Sequence, residues 1–171
     1  KVKNKVIENA RLEVTDITIE TQEAAEKLGR PVGRYITLTA TDSTFDMYSD
    51  SFRERAEAIA KAIGELCGGC ERFLAVGLGN YALTSDAVGP LTAEKIFATR
   101  HIKSLAKEID TDDLGEVTVI QTGVLGNTGI ESSEQVKAIA ERVTPQAVIA
   151  VDALACSELS NLGRTIQLCD T

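Results

Sequence analysis

A single histidine, His101, is all the imidazole this chain has. A Ser-His-Asp or Cys-His mechanism would rest on that one residue, which stands beside no candidate nucleophile, so such chemistry is not expected. Cysteine is scarce too, at positions 67, 70, 156 and 169. Four thiols are few for a disulfide scaffold, and 171 residues with 43% hydrophobic content can bury a core without one, which implies a reducing compartment. Cys67-Gly-Gly-Cys70 has redox or half-zinc spacing. It follows a helical segment, however, where a thioredoxin-type pair opens one, and Cys156 and Cys169 are not spaced as a second zinc pair. Loop or buried thiols are expected. No apolar run reaches transmembrane length and no signal-peptide pattern is present, which predicts a soluble protein. Positive charge is in the minority: 18 Lys and Arg against 26 Asp and Glu leave a net charge of −8. That balance argues against general binding to nucleic acid or to an anionic membrane.

What the chain does have is alternation. Residues 1 to 13, with Lys1, Lys3 and Lys5 and little periodicity, read as a flexible basic arm ahead of a domain from 14 to 171. Asp16 to Glu20 alternates polar and apolar residues, and Thr21 to Leu28 is a short helix closed by Gly29. Arg34 to Thr41 alternates again as a half-buried strand. Asp50 to Cys67 reads as an amphipathic helix with Ala56, Ile59, Ala60, Ile63 and Leu66 inward and its charges solvated. Beyond it, the apolar strands Phe73 to Val76, Glu116 to Gln121 and Ala147 to Val151 are separated by a helix from about Asp86 to Arg100 and by one that Ser132 and Ser133 precede and that runs to about Val143. Arg164 to Cys169 is a last short strand. This order predicts an α/β fold, a three-layer α/β/α arrangement with a mostly parallel sheet.

Two acids stand out. The strand at Phe73 to Val76 runs into Gly77 and Gly79, and the loop delivers Asn80, Thr84, Ser85 and Asp86 to its carboxyl end, where open α/β sheets place their sites. Asp86 is equally well placed to cap the following helix. Asp152 ends the third apolar strand, where a carboxylate needs a reason, either function or a partner such as Arg100 or Arg164. Between them, Thr122-Gly-Val-Leu-Gly-Asn-Thr-Gly129 holds three glycines, which implies unusual dihedrals or close approach of a ligand. Gly77-Leu-Gly-Asn-Tyr-Ala82 fits a loose dinucleotide fingerprint, but no strand ending in an acid appears about twenty residues on to meet a ribose.

Val-Gly-Leu-Gly-Asn80, Ser85-Asp-Ala-Val-Gly-Pro-Leu91, Thr99-Arg-His101, Gly126-Asn-Thr-Gly-Ile-Glu-Ser-Ser133 and Ala150-Val-Asp-Ala-Leu-Ala155 occur in that order. Together they resemble the spore germination proteases, aspartate-dependent endopeptidases that degrade small acid-soluble spore proteins. The resemblance runs from about Thr15-Asp16 to Thr171, where the family pattern continues into elements expected to be missing here. It implies a fold like that of the hydrogenase-maturation proteases, no cofactor, a homotetramer, and a location in the cytoplasm of the forespore or spore core. It also implies that Asp86 and Asp152 are the essential aspartates, with Asn80, Gly126 and Asn127 toward the substrate. Family members cut between Glu and a hydrophobic residue, and Arg100 is the candidate to read that Glu. They are made as zymogens whose short propeptide ends before a Thr-Asp-hydrophobic segment, matched by Thr15-Asp16-Ile17, although Val14 stands where the family usually has Arg. The arm at 1 to 13 is then expected to be a propeptide, held by its lysines over an acidic cleft through a contact that weakens with salt, and removed up to about Val14 on activation.

Two carboxyls brought close in a partly dry cleft do not ionise together easily, so one activates a water while the other donates a proton. Two rivals remain at this point. Asp86, Asp152 and His101 are also the residue types of a nickel-dependent maturation endopeptidase, and a non-catalytic binding module could keep the same fold.

Overall fold

The computed structural model describes residues 1–105, 111, 114–156 and 158–171. In chain order its elements are β1 (Val2–Ile7), β2 (Leu12–Ile19), α1 (Gln22–Leu28), β3 (Gly33–Ala40), α2 (Phe52–Cys67), β4 (Arg72–Leu78) and α3 (Val88–Lys95). There follow α4 (Arg100–Leu105), β5 (Glu116–Gly123), α5 (Leu125–Thr128), α6 (Ser132–Val143), β6 (Ala147–Val151) and β7 (Thr165–Cys169). The chain divides into two compact units, Lys1–Gly69 with Leu154–Thr171, and Cys70–Ala153. Neither unit begins at residue 14.

The first unit is an antiparallel sheet in the order β1-β2-β3-β7 with α2 against one face. Alternation sends Leu12 and Val14 of β2 and Ile36, Leu38 and Ala40 of β3 to that face, and all are buried. Register pairs them across the ladder, Leu12 with Ala40 and Val14 with Leu38. Ile166 and Leu168 of β7 continue the stripe beside Leu38 and Ile36, so the last strand joins this sheet, not the parallel one. α2 closes the core with Ala58, Ile59, Ala62 and Leu66.

Two expectations are corrected here. The inward face of α2 is turned from the predicted one: Ala56 and Ala60 are exposed, whereas Arg55 is only 1% exposed. Arg55 is buried because backbone carbonyls need its donors. Nε donates to Ala10 O at 3.1 Å, Nη1 to Thr44 O at 3.0 Å, and Nη2 to the Asp42 carboxylate. Residues 2 to 7, expected to be loose, form β1, with every residue paired to β2 from Val2 opposite Ile17 to Ile7 opposite Leu12. A 3-10 turn at Glu8–Ala10 then leads into β2, and Ala10 and Leu12 have no solvent exposure.

The second unit is a parallel sheet in the order β5-β4-β6. β4 lies in the middle, which is why Leu74, Ala75 and Val76 form a continuous buried run. α3 packs on all three strands and α6 on β5 and β4. The α/β class therefore holds, and the three strands of the parallel sheet are the three apolar runs. The helix expected from Asp86 to Arg100 is broken, however: a 3-10 turn covers Thr84–Asp86, α3 ends at Lys95 and α4 starts at Arg100. Buried Thr99 is the cause. Its amide donates to Val117 O at 3.0 Å, its hydroxyl donates to Gly115 O at 2.5 Å and accepts from Val117 N at 2.8 Å, so the start of β5 takes the bonds a helix would use.

Candidate active site

In a parallel sheet all strands end on one edge, so the loops after β4, β5 and β6 share the carboxyl edge of this unit. Asp86 reaches it through the loop after β4. Gly79, at φ 109°, turns the chain there, and a Cβ on it would lie 3.0 Å from Asp86 Oδ1. The amide of Asn80 donates to Asp86 Oδ2 at 2.8 Å and to the Asp86 carbonyl at 3.1 Å. The half-buried carboxylate of Asp86 thus closes its own loop and does not cap α3, whose N-terminus has no side-chain cap.

Asp152 directly follows β6. It is exposed, and its Oδ1 accepts from the Ala153 amide at 2.8 Å. Glycines bring the two loops together. A Cβ on Gly89, three residues past Asp86, would lie 2.1 Å from Leu78 O and 2.4 Å from Val151 O, so the first turn of α3 rests on the ends of β4 and β6. Gly77 faces it, with a Cβ there 2.4 Å from Gly89 O and 2.8 Å from Ala93 Cβ. Gln121 Nε2 adds a bond to Pro90 O at 3.1 Å from β5. The contact partner of Gly89 is thus the residue immediately before Asp152, and the two aspartates flank one seam.

The other candidates separate into two groups. Asn80 lies beside Asp86, with its side-chain Oδ1 accepting from Ala82 N at 3.0 Å, so it shapes the loop as an Asx turn. Gly126 and Asn127 are in α5, exposed on the same carboxyl edge. Their loop is fixed from behind by buried Thr122, whose hydroxyl accepts from Ser132 Oγ at 3.0 Å and whose carbonyl accepts from Gln135 Nε2 at 3.1 Å. Arg100 is elsewhere. It opens α4 and pairs with Glu116 at 3.3 Å, the first residue of β5, on the amino edge of the sheet. His101 follows it there. Among the described residues no three His, Cys, Asp or Glu side chains are grouped to hold a metal ion, so Asp86, Asp152 and His101 do not form the nickel-type set. Cys67 ends α2 and Cys70 precedes β4, both half-buried, while Cys156 and Cys169 are exposed.

Sequence reasoning missed Gly89, Gln121 and Thr122. The signal for Gly89 was present, since a glycine directly before a first-turn proline in a helix invites the question of what lies against it. The bonds of Gln121 and Thr122 depend on α3 and α6 docking and leave no local pattern.

A family model described as germination protease matches residues 1–171. The chain is 37% identical over 163 residues to the germination protease of Clostridium perfringens, covering 94% of this chain and 50% of that protein. It is 35% identical over 174 residues to that of Clostridium tetani, covering 99% and 53%, and 39% identical over 153 residues to that of Halalkalibacterium halodurans, covering 86% and 41%. The chain therefore spans about half the length of these relatives. Because the family match runs through both units, including the strand ends that carry Asp86 and Asp152, the chain belongs to the germination protease family.

Proposed function

We propose that this protein is an endopeptidase of spore germination in which Asp86 and Asp152 work as a pair on small acid-soluble spore proteins. The observation that supports it best is the Gly89 contact with Leu78 and Val151, which sets the loops of both aspartates at one seam. One carboxylate takes a proton from a water as its oxygen adds to the peptide carbonyl, and the partner carboxyl protonates the carbonyl oxygen; the first group then passes its proton to the leaving nitrogen as the C–N bond breaks, and the partner takes back a proton from the gem-diol as the product carboxyl forms. The Asn80 amide keeps the Asp86 carboxylate turned into its loop, and the Gly126–Asn127 turn docks the extended substrate or offers amides to the oxyanion.

The enzyme acts in the spore core as a homotetramer and is made as a zymogen that is processed by a cut after about residue 13. Arg100, engaged with Glu116 on the far sheet edge, is passed over as the reader of a substrate Glu. Incubating the intact, processed protein with an acid-soluble spore protein and mapping the products by mass spectrometry tests this reading. Cleavage after Glu that persists in excess chelator is the expected result; loss of cleavage on chelation contradicts it.

A further inference from the structure

The bond next to Val14, where processing is expected, lies inside a paired strand. Glu13 sits opposite Val6 on one side and Thr39 on the other, and Val14 sits opposite Lys5 and Leu38. A protease needs an accessible extended segment at its scissile bond, and this one is hydrogen-bonded along both flanks and bracketed by side chains 0% and 5% exposed, Leu12 and Val14.

What holds the segment is mostly not charge. Ala10 and Leu12 belong to the same apolar cluster as Val14, Leu38 and Ala62, with Ile7 packed against it. Buried Arg55 donates to Ala10 O, and the amide and hydroxyl of Thr41 both donate to Arg11 O, at 3.0 and 3.1 Å. Charge pairs are present at the margins, Arg11 with Asp42 and Lys1 with Glu20, each at 2.7 Å. Beside the hairpin lies a cleft of about 670 Å³ between α2 and the sheet, and Lys3, Lys5 and Ile7 form part of its wall.

We infer that residues 1–13 are a core-completing strand of the first unit, that cutting next to Val14 requires the β1–β2 hairpin to open first, and that the cut segment stays docked on β2 without a covalent link. This rests on the zymogen reading above for its biological use, but not for its test. Without residues 1–13, β2 becomes an open sheet edge and the seats of Ala10 and Leu12 are empty, a surface that takes an extended strand. The occupant that fits is the segment itself, whose Lys3, Asn4 and Lys5 already sit opposite Asp16, Thr15 and Val14.

The Glu13–Val14 bond allows a direct experiment with a glutamate-specific endoprotease on the Glu8→Gln chain, the cut at this bond being followed by mass spectrometry apart from cuts at the other glutamates. Its cleavage is expected to be at least about a hundredfold slower than in a free peptide of residues 1–20, and equal rates would overturn the inference. The same variant nicked once, at Glu13–Val14, under single-hit conditions in mild denaturant and returned to buffer is then passed over a sizing column. Co-elution of the fragment with the chain, in low salt and in 1 M salt alike (about 3 Å screening length), is expected; release in either overturns docking as stated. Neither readout involves peptidase activity, so the zymogen reading fails separately, when arm-free and complete enzyme turn over alike.

Discussion

Arginines decide where this sheet can carry acids. Arg34 donates to both oxygens of Asp16, at 3.0 and 2.8 Å, and to Glu65 at 2.7 Å, and these bonds hold both carboxyls below their usual range. Asp42 is held well below it, first by Arg11 and then by the amide of Ser43 and by Arg55. A carboxyl depressed in the folded state binds fewer protons there than in the unfolded chain. Its contribution is therefore present above the unfolded pKa, about 4, and is lost as pH falls through the lower folded value. Thermal melts should show the protein losing stability below about pH 4, and Asp42→Asn should flatten that loss; an unchanged acid slope in the variant would refute the assignment. Arg55→Met should cost about 2–4 kcal/mol by denaturant melt, because it strands the buried Ala10 O and breaks the bonds to Thr44 O and Asp42, whereas a cost near zero would mean that Ala10 O finds water. From the sequence Arg55 looked like one more solvated helix charge. Its acceptors lie 45, 11 and 13 residues away, so no periodicity could reveal them.

Elements were legible where their signal is local. α1 begins after the Thr21 cap and stops at Gly29 in the left-handed region, as its residues announce; β6 falls on its predicted span, and α6 ends where expected but already includes Ser132 and Ser133. The helix holding α3 was read on to about Arg100, and α4 was not read, because α3 is ended by Thr99 bonding to β5, a long-range event with no breaker residue at the junction. β1 escaped for a related reason: its side chains are exposed except the half-buried Ile7, so it has no buried stripe and exists through its ladder to β2. The seam between α3 and the sheet carries its own prediction. Gly89→Ala places a methyl group against the fixed carbonyls of Leu78 and Val151, so α3 must lift. The expected cost is about 1–3 kcal/mol in stability, and a rate of peptide cleavage lowered about a hundredfold by misplacement of Asp86. Gly64→Ala in α2, with open space around it, should be neutral or slightly stabilising. Similar behaviour of the two variants would show that the glycine contact does not position the site.

At the scale of the whole chain, alternation of strands and helices correctly indicated a parallel sheet for Cys70–Ala153, but it could not show that the flanking segments build an antiparallel sheet of their own. Strand direction is set by which ladders close, whereas the loops after β4, β5 and β6 carried local motifs that marked them as site candidates in advance. Regulation belongs to this scale as well: if residues 1–13 lock the enzyme, their full removal should raise the rate on a peptide substrate by about a thousandfold, a preference of about 4 kcal/mol for the locked state, and no increase would leave them a structural strand alone. The most direct measurement of all is the initial rate of spore-protein cleavage by the intact, processed protein carrying Asp86→Asn, Asp152→Asn or both. Each single replacement should lower the rate by about a thousandfold or more, and the double should be little slower than either, because two carboxyls acting as one unit are not lost twice. A single variant that keeps more than about a tenth of the parent rate, less than the loss of one acid–base group explains, would contradict the assignment.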